Sequence, residues 1–210
     1  MIQLLLLLFS RPAIIFYTGG SNLMSAALYN DFLSKFKGIA IYKLPFTLDE
    51  KLTENVLIDL DKRHESLTMV GHSSGCIRLI NNCNNKIKNV ILLDPVKTPN
   101  LKQKNLEYLN NVIIIEAMKS YEWSKVPPFV PFIPFLKLEG KDIEIEENKV
   151  VNLKFKDFGH SDLINNPWRD IMHNSRISRG NLNRDIKTIE DYHNKMALII
   201  TNYATYYQEN

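Results

Sequence analysis

The sequence predicts an α/β fold: one domain of 210 residues built on a mainly parallel sheet with helices on both faces. Three observations predict it. Short runs rich in β-branched and aromatic residues recur along the chain, among them PAIIFYT, GIAIYKL, LTMV and KNVILLD. Segments with apolar residues at helical spacing separate these runs. The runs are apolar at nearly every position, the pattern of strands covered on both sides rather than on one.

The elements follow in chain order. PAIIFYT, from Pro12, ends at Gly19-Gly20 and reads as a buried strand entering a loop. Residues 21–36 repeat Leu23, Ala27, Leu28, Phe32 and Leu33 at helical spacing, and Gly38 to Leu44 reads as a second strand. The next helix starts at a capping Thr47 with Glu50 three residues on, and carries Leu52, Val56, Leu57 and Leu60 on one face. A third strand, Leu67 to Val70, runs into GHSSG and the helical SGCIRLINNC. Strands are expected at 88–94, 111–116 and 150–158, and an amphipathic helix at 188–207. No internal repeat is evident, and the chain is too short for a large cap domain.

Composition narrows the function classes. Apolar residues at 45% and charged residues at 23% are the balance of a globular chain, not a disordered one. A net charge of +3 with scattered basic residues offers no concentrated face for nucleic acid, so no nucleic-acid partner is expected. Arg169, Arg176, Arg179 and Arg184 fall in a polar segment and are read as a solvated face, with an anion site as the alternative. Cys76 and Cys83 lie on one helix about 10 Å apart, beyond disulfide reach, so both are expected as free thiols, which suits a reducing compartment. No Cys/His cluster suggests a metal, and no cofactor is implied.

The opening MIQLLLLLFSRP has no basic residue before its apolar run and no small-residue cleavage site, and is far short of the ~20 residues that span a bilayer. It is expected as a buried strand in a cytoplasmic protein, with a membrane-touching or targeting segment as the alternative.

In a parallel sheet, chemistry collects at the carboxyl ends of strands. Ser73 lies there, three residues past Val70 and just before a helix, between Gly71 and Gly75 in the pattern G-x-S-x-G. Side chains at 71 or 75 would collide with the neighbouring helix and strand, and the helix N-terminus favours developing negative charge. A serine hydroxyl needs a base. Of five histidines, His160 follows Gly159 directly after the last strand. His64, His173 and His193 are read as surface residues, and His72 is expected to point away from the pocket that Ser73 faces. A carboxylate must then hold the imidazole. Asp94, ending VILLD before Pro95, and Glu116, ending VIIIE, both end strands; Asp94 is preferred, and Glu116 stays as the rival. Backbone donors for an oxyanion are expected at Ser74 and Gly20.

Together, PAIIFYTGG, VGHSSG, VILLDPV and KDFGHSDLINN resemble the α/β-hydrolases, and within them the chlorophyllase and related esterase or lipase group, over roughly residues 11 to 165. The resemblance implies Ser73 as nucleophile, Asp94 as acid and His160 as base, in that chain order, with Asp162 matching a second acidic position that has no assigned role. It also favours Asp94 over Glu116, because the commoner acid site, past the next strand, reads EAMKS without an aspartate. The oxyanion loop departs from the group, with Thr18-Gly19 where His-Gly is usual, and Cys76 replaces a small residue.

The stretch VPPFVPFIPFLKL interleaves prolines with Phe129, Phe132 and Phe135, which excludes a regular helix or central strand. It is read either as an apolar lid or acyl-binding wall in peripheral contact with a lipid surface, or as a plug in the core. The expected activity is hydrolysis of a small-molecule or lipid ester through an acyl-enzyme. A thioesterase or acyltransferase on the same triad, and a non-catalytic binding protein that keeps GHSSG as a turn, are the alternatives.

Overall fold

The computed structural model describes residues 11–19, 24–44, 50–83, 87, 89–97, 109, 111–120, 145–174 and 185–206. The leucine run at 1–10, the capping Thr47, Gly20, the Pro/Phe stretch with Phe129, Phe132 and Phe135, and Arg176, Arg179 and Arg184 lie outside the described residues.

Six strands pair in parallel throughout: β1 (Ala13–Tyr17), β2 (Ala40–Lys43), β3 (Leu67–His72), β4 (Asn89–Leu93), β5 (Asn111–Ala117) and β6 (Val150–Phe155). Their order across the sheet is β2-β1-β3-β4-β5-β6. The chain steps to one side of β1 to form β2 and then to the other side for β3, so a topological switch lies between β1 and β3. Ligand sites in such sheets open at that point, beyond the carboxyl ends of the strands.

Alternation along each strand explains the unbroken apolar runs. Ile15, Met69, Leu92 and Ile114 point to one face, where they meet Leu57 and Leu60 of α2 (Glu50–Arg63) and Leu79 and Ile80 of α3 (Gly75–Asn82). Phe16, Val70, Ile91 and Ile113 point to the other, against Tyr29, Phe32 and the C-terminal helix α5 (Ile186–Tyr206). Burying both faces requires apolar residues at both parities. Every residue of β1, β3 and β4 is buried, whereas the edge strands β2 and β6 carry half-buried and exposed positions. Helix α5 buries Ile189, Tyr192, His193, Met196, Ala197, Ile200, Tyr203 and Ala204, the i, i+3, i+4 stripe of an amphipathic helix.

Three expectations are corrected here. The helix expected over 21–36 is, in its described part, a 3-10 turn at Ala26–Tyr29 followed by one α turn, α1 (Asn30–Leu33). Local bonds explain the interruption at Met24 and Ser25: Ser25 Oγ caps Ala27 N at 3.2 Å, while Met24 O is taken by Thr18 Oγ1 at 2.6 Å and Met24 N by Gly19 O at 3.2 Å. On α2, Leu52 is exposed and Thr53 takes the buried position, where its hydroxyl accepts from Arg78 of α3 at 3.3 Å. Arg169 is not solvated. It lies buried on α4 (Trp168–Asn174), with Nε 3.3 Å from Asp170 Oδ1.

Candidate active site

Strand β3 runs two residues further than its apolar run, through Gly71 and His72, and delivers Ser73 at its tip. Ser73 turns sharply, with φ of 57°, and Gly75 opens α3 two residues later. The flanking glycines leave the room this elbow requires. A Cβ at Gly71 would meet Cys76 Cα at 3.0 Å, and one at Gly75 would fall 2.1 Å from Thr18 O at the end of β1. The elbow is pinned to its neighbour strand by Ser73 N donating to Leu93 O at 3.0 Å.

Asp94 follows β4 and is, among the described residues, the other non-glycine residue in the left-handed region, with φ of 43°. Its carboxylate is held from β5 onward: Ala117 N donates to Oδ1 at 3.2 Å and Ser120 Oγ to Oδ2 at 2.7 Å. The same Oδ2 accepts from Nδ1 of His160, a short, buried contact. His160 opens a 3-10 turn (His160–Leu163) beyond β6, and its Nε2 lies 2.8 Å from Ser73 Oγ. Side chains 21 and 66 positions apart thus meet at one rim of the sheet. Asp94 and His160 are each 5% exposed, dry enough for their electrostatics to be strong, whereas Ser73 is half-buried and open to a reactant.

Glu116 does not join this group. It is buried in β5 with Oε2 3.8 Å from Lys154 Nζ of β6, its register partner, and His160 bonds to Asp94 instead. Asp162 acts on the turn that carries His160. Its Oδ2 accepts from Gly159 N at 2.8 Å, Asp162 N donates back to Gly159 O at 3.1 Å, and its carbonyl accepts from His193 Nε2 at 2.7 Å.

Two histidines read as surface residues, His193 and His64, are buried instead. His193 is buried on α5, where burial holds its pKa below the ordinary range. His64 is also buried, bonded to Tyr42 Oη at 2.7 Å and to Arg11 O at 2.9 Å. His72 is buried. It lies beneath His160, ring centroids 4.7 Å apart, with Nε2 3.1 Å from the carbonyl of His160 and Nδ1 2.8 Å from Tyr29 Oη. His173 is half-buried on α4.

Of the expected oxyanion donors, the amide of Ser74 stands where the elbow enters α3, and Gly20 lies outside the described residues. The preceding amide, Gly19 N, donates to Tyr29 Oη at 3.0 Å. Both cysteines are free and buried, and burial drives the Cys76 thiol pKa far up. Among the described residues, no cluster of three His, Cys, Asp or Glu side chains is placed to hold a metal, and no helix is long and apolar enough to cross a membrane. A cavity of about 270 Å³ lies elsewhere, lined by Lys35, Arg169, Glu190 and His193 among others, and contains none of Ser73, Asp94 or His160.

Ser120, Tyr29 and His72 support the site without having been singled out for it. Ser120 carried a signal, since it sits in EAMKS, where the commoner acid position falls. Tyr29 and His72 carried none that a linear reading would separate from ordinary core residues.

No protein-family profile matches the chain, and no curated protein sequence matches it. Solved structures do. The thioesterase domain of Vlm2, solved with a bound dodecadepsipeptide, superposes with a TM-score of 0.50 at 8% identity over 80% of this chain and 94% of that one. One of the lipolytic enzymes LipS and LipT, which are metagenome-derived, gives 0.43 at 11% identity over 81% and 95%. RedJ, with a polyethylene glycol molecule in its active site, gives 0.46 at 7% identity over 80% and 88%. With its parallel sheet, its strand-to-helix elbow and its likeness to the first of these, the chain has the α/β-hydrolase fold.

Proposed function

We propose that the protein is a serine hydrolase that cleaves carboxylic esters through an acyl-enzyme, with Ser73 as nucleophile, His160 as base and Asp94 as orienting acid. One observation carries the reading: the continuous hydrogen-bond path from Ser73 Oγ through both nitrogens of His160 to Asp94, with the serine on a left-handed elbow. A folded-in turn has no need of such a path, and residues held in this backbone region cluster at functional sites.

The chemistry follows from the protons. Asp94 only accepts, so Nδ1 of His160 carries the hydrogen and Nε2 presents a lone pair to Ser73 Oγ. As Oγ attacks the ester carbonyl, its proton passes to Nε2, and Asp94 stabilises the imidazolium. The tetrahedral oxyanion lies by the N-terminus of α3, where the Ser74 amide donates to it. The imidazolium then protonates the leaving alcohol, and water releases the acid by the same steps in reverse.

Within the fold, the G-H-S-x-G, D-P-V and G-H-x-D segments support a place near the chlorophyllase-related esterases. The phenylalanine-rich stretch 126–138 supports a lipophilic acyl or alcohol group. The test is pre-steady-state turnover of a p-nitrophenyl ester. A burst of about one product per chain is expected, its rate lowered on the order of 10³- to 10⁴-fold in Asp94→Asn, where the wrong imidazole tautomer is favoured. Glu116→Gln should retain the burst. Loss in Glu116→Gln alone would overturn the assignment of the acid.

A further inference from the structure

Two buried side chains that the reaction scheme leaves out, Tyr29 and His72, bridge the loop after β1 to the loop that carries His160. Gly19 N lies 3.0 Å from Tyr29 Oη, Tyr29 Oη lies 2.8 Å from His72 Nδ1, and His72 Nε2 lies 3.1 Å from the carbonyl oxygen of His160. Tyr29 is 0% exposed and His72 1%, so water does not compete for these bonds. The packing is close as well: a Cβ at Gly19 would fall 2.9 Å from Tyr29 Oη.

The direction of each proton is fixed by what the end groups can do. A backbone carbonyl only accepts, so His72 Nε2 carries a hydrogen and donates it to His160. A backbone amide only donates, so Tyr29 Oη accepts from Gly19 and gives its own hydrogen to His72 Nδ1. Both rings must be neutral for this. Burial, with His160 as a second cause, holds His72 well below the ordinary histidine range, and burial raises the Tyr29 phenol above its usual one. The result is a one-way chain from Gly19 N–H through Tyr29 and His72 to the His160 carbonyl.

We propose that Tyr29 and His72 are positioning residues, which tie the backbone of His160 to the loop after β1 so that the base and the oxyanion side of the site keep one register around Ser73. The proposal rests on the catalytic reading of Ser73, Asp94 and His160. Asp94 fixes the imidazole at its tip, and Asp162 shapes the turn beneath it. The carbonyl bond from His72 constrains the remaining freedom, displacement of the His160 main chain towards or away from the elbow. Misplacing a reacting group by about 1 Å costs on the order of 10²-fold in rate.

Asparagine and glutamine at position 72 separate the two arms. His72→Asn keeps an amide within reach of Tyr29 but falls short of the His160 carbonyl. His72→Gln carries an N–H as far as Nε2 does. With a p-nitrophenyl ester, His72→Asn and Tyr29→Phe should lower kcat by about 10- to 100-fold while KM changes by less than about three-fold, and His72→Gln should recover most of the loss. Nitrogen-15 NMR of the wild-type chain should show His72 as the Nε2–H tautomer at neutral pH. A kcat for His72→Asn within about two-fold of wild type, or equal losses in His72→Asn and His72→Gln, would overturn the proposal. So would an Nδ1–H or doubly protonated His72, a result that stands even if a variant does not fold. If the wild-type chain turns over no ester and Ser73 takes up no acylating probe, the catalytic reading fails instead, and the tautomer of His72 still reports on the bridge by itself.

Discussion

Ser73 and Asp94 hold φ at 57° and 43°, the left-handed region that costs an L-residue about 1–2 kcal/mol. The bond from Ser73 N to Leu93 O and that from Asp94 N to Ile115 O at 2.6 Å hold both residues in place against that cost. Ser73→Ala and Ser73→Gly both remove the hydroxyl, but only glycine relieves the backbone. After allowance for the greater freedom of glycine in the unfolded chain, Ser73→Gly should be more stable than Ser73→Ala by about 0.5–1 kcal/mol in urea unfolding. Equal stabilities would mean that the elbow stores no strain. At this scale the elbow at Ser73 was legible because its signature is local, two glycines and a serine within five residues. The clamp on Asp94 was not, because Ser120 is 26 positions away and its bond exists only once β4 and β5 are paired.

Helix α3 meets the end of β1 across Gly75. A methyl group there would enter the space of the Thr18 carbonyl, 2.1 Å away, and its nearest neighbours are all backbone atoms of Tyr17 and Thr18, with no flexible side chain to yield. Gly75→Ala should therefore cost about 1–3 kcal/mol, the range of overpacking in a tight core, and should displace the elbow enough to abolish turnover. A folded, active Gly75→Ala protein would contradict this contact. The strands were readable in the sequence because both faces are covered and apolar runs mark them directly. The first helix was not, because Ser25 and Thr18 divert the backbone groups that a continuous helix would use. The burial of His193 was within reach: it lies four residues after Ile189 and three before Met196, on the stripe that α5 turns inward. His64 gave no such sign, since its partners Tyr42 and Arg11 come from distant segments.

The sheet order places the loop after β1 and the elbow after β3 side by side, and the turns after β4 and β6 bring Asp94 and His160 to the same rim. This arrangement keeps two buried histidines neutral, His72 and His193, both held below their ordinary pKa mainly by desolvation. The unfolded chain takes up protons on them near pH 6.5 while the folded chain does not, so the stability they allow is complete above that pH and lost below it. Each fully linked proton contributes a slope of about 1.4 kcal/mol per pH unit. Urea unfolding between about pH 7.5 and 5.5 should therefore show falling stability, with a shallower fall in His72→Asn. A flat profile would mean that these histidines protonate in the folded chain. The most direct measurement of the central claim is covalent labelling with a fluorophosphonate, followed by mass spectrometry of the labelled peptide. One label per chain is expected, on Ser73, absent in Ser73→Ala and slowed about 10³-fold or more in His160→Gln. A label that persists in Ser73→Ala, or that lands on another residue, would contradict the account.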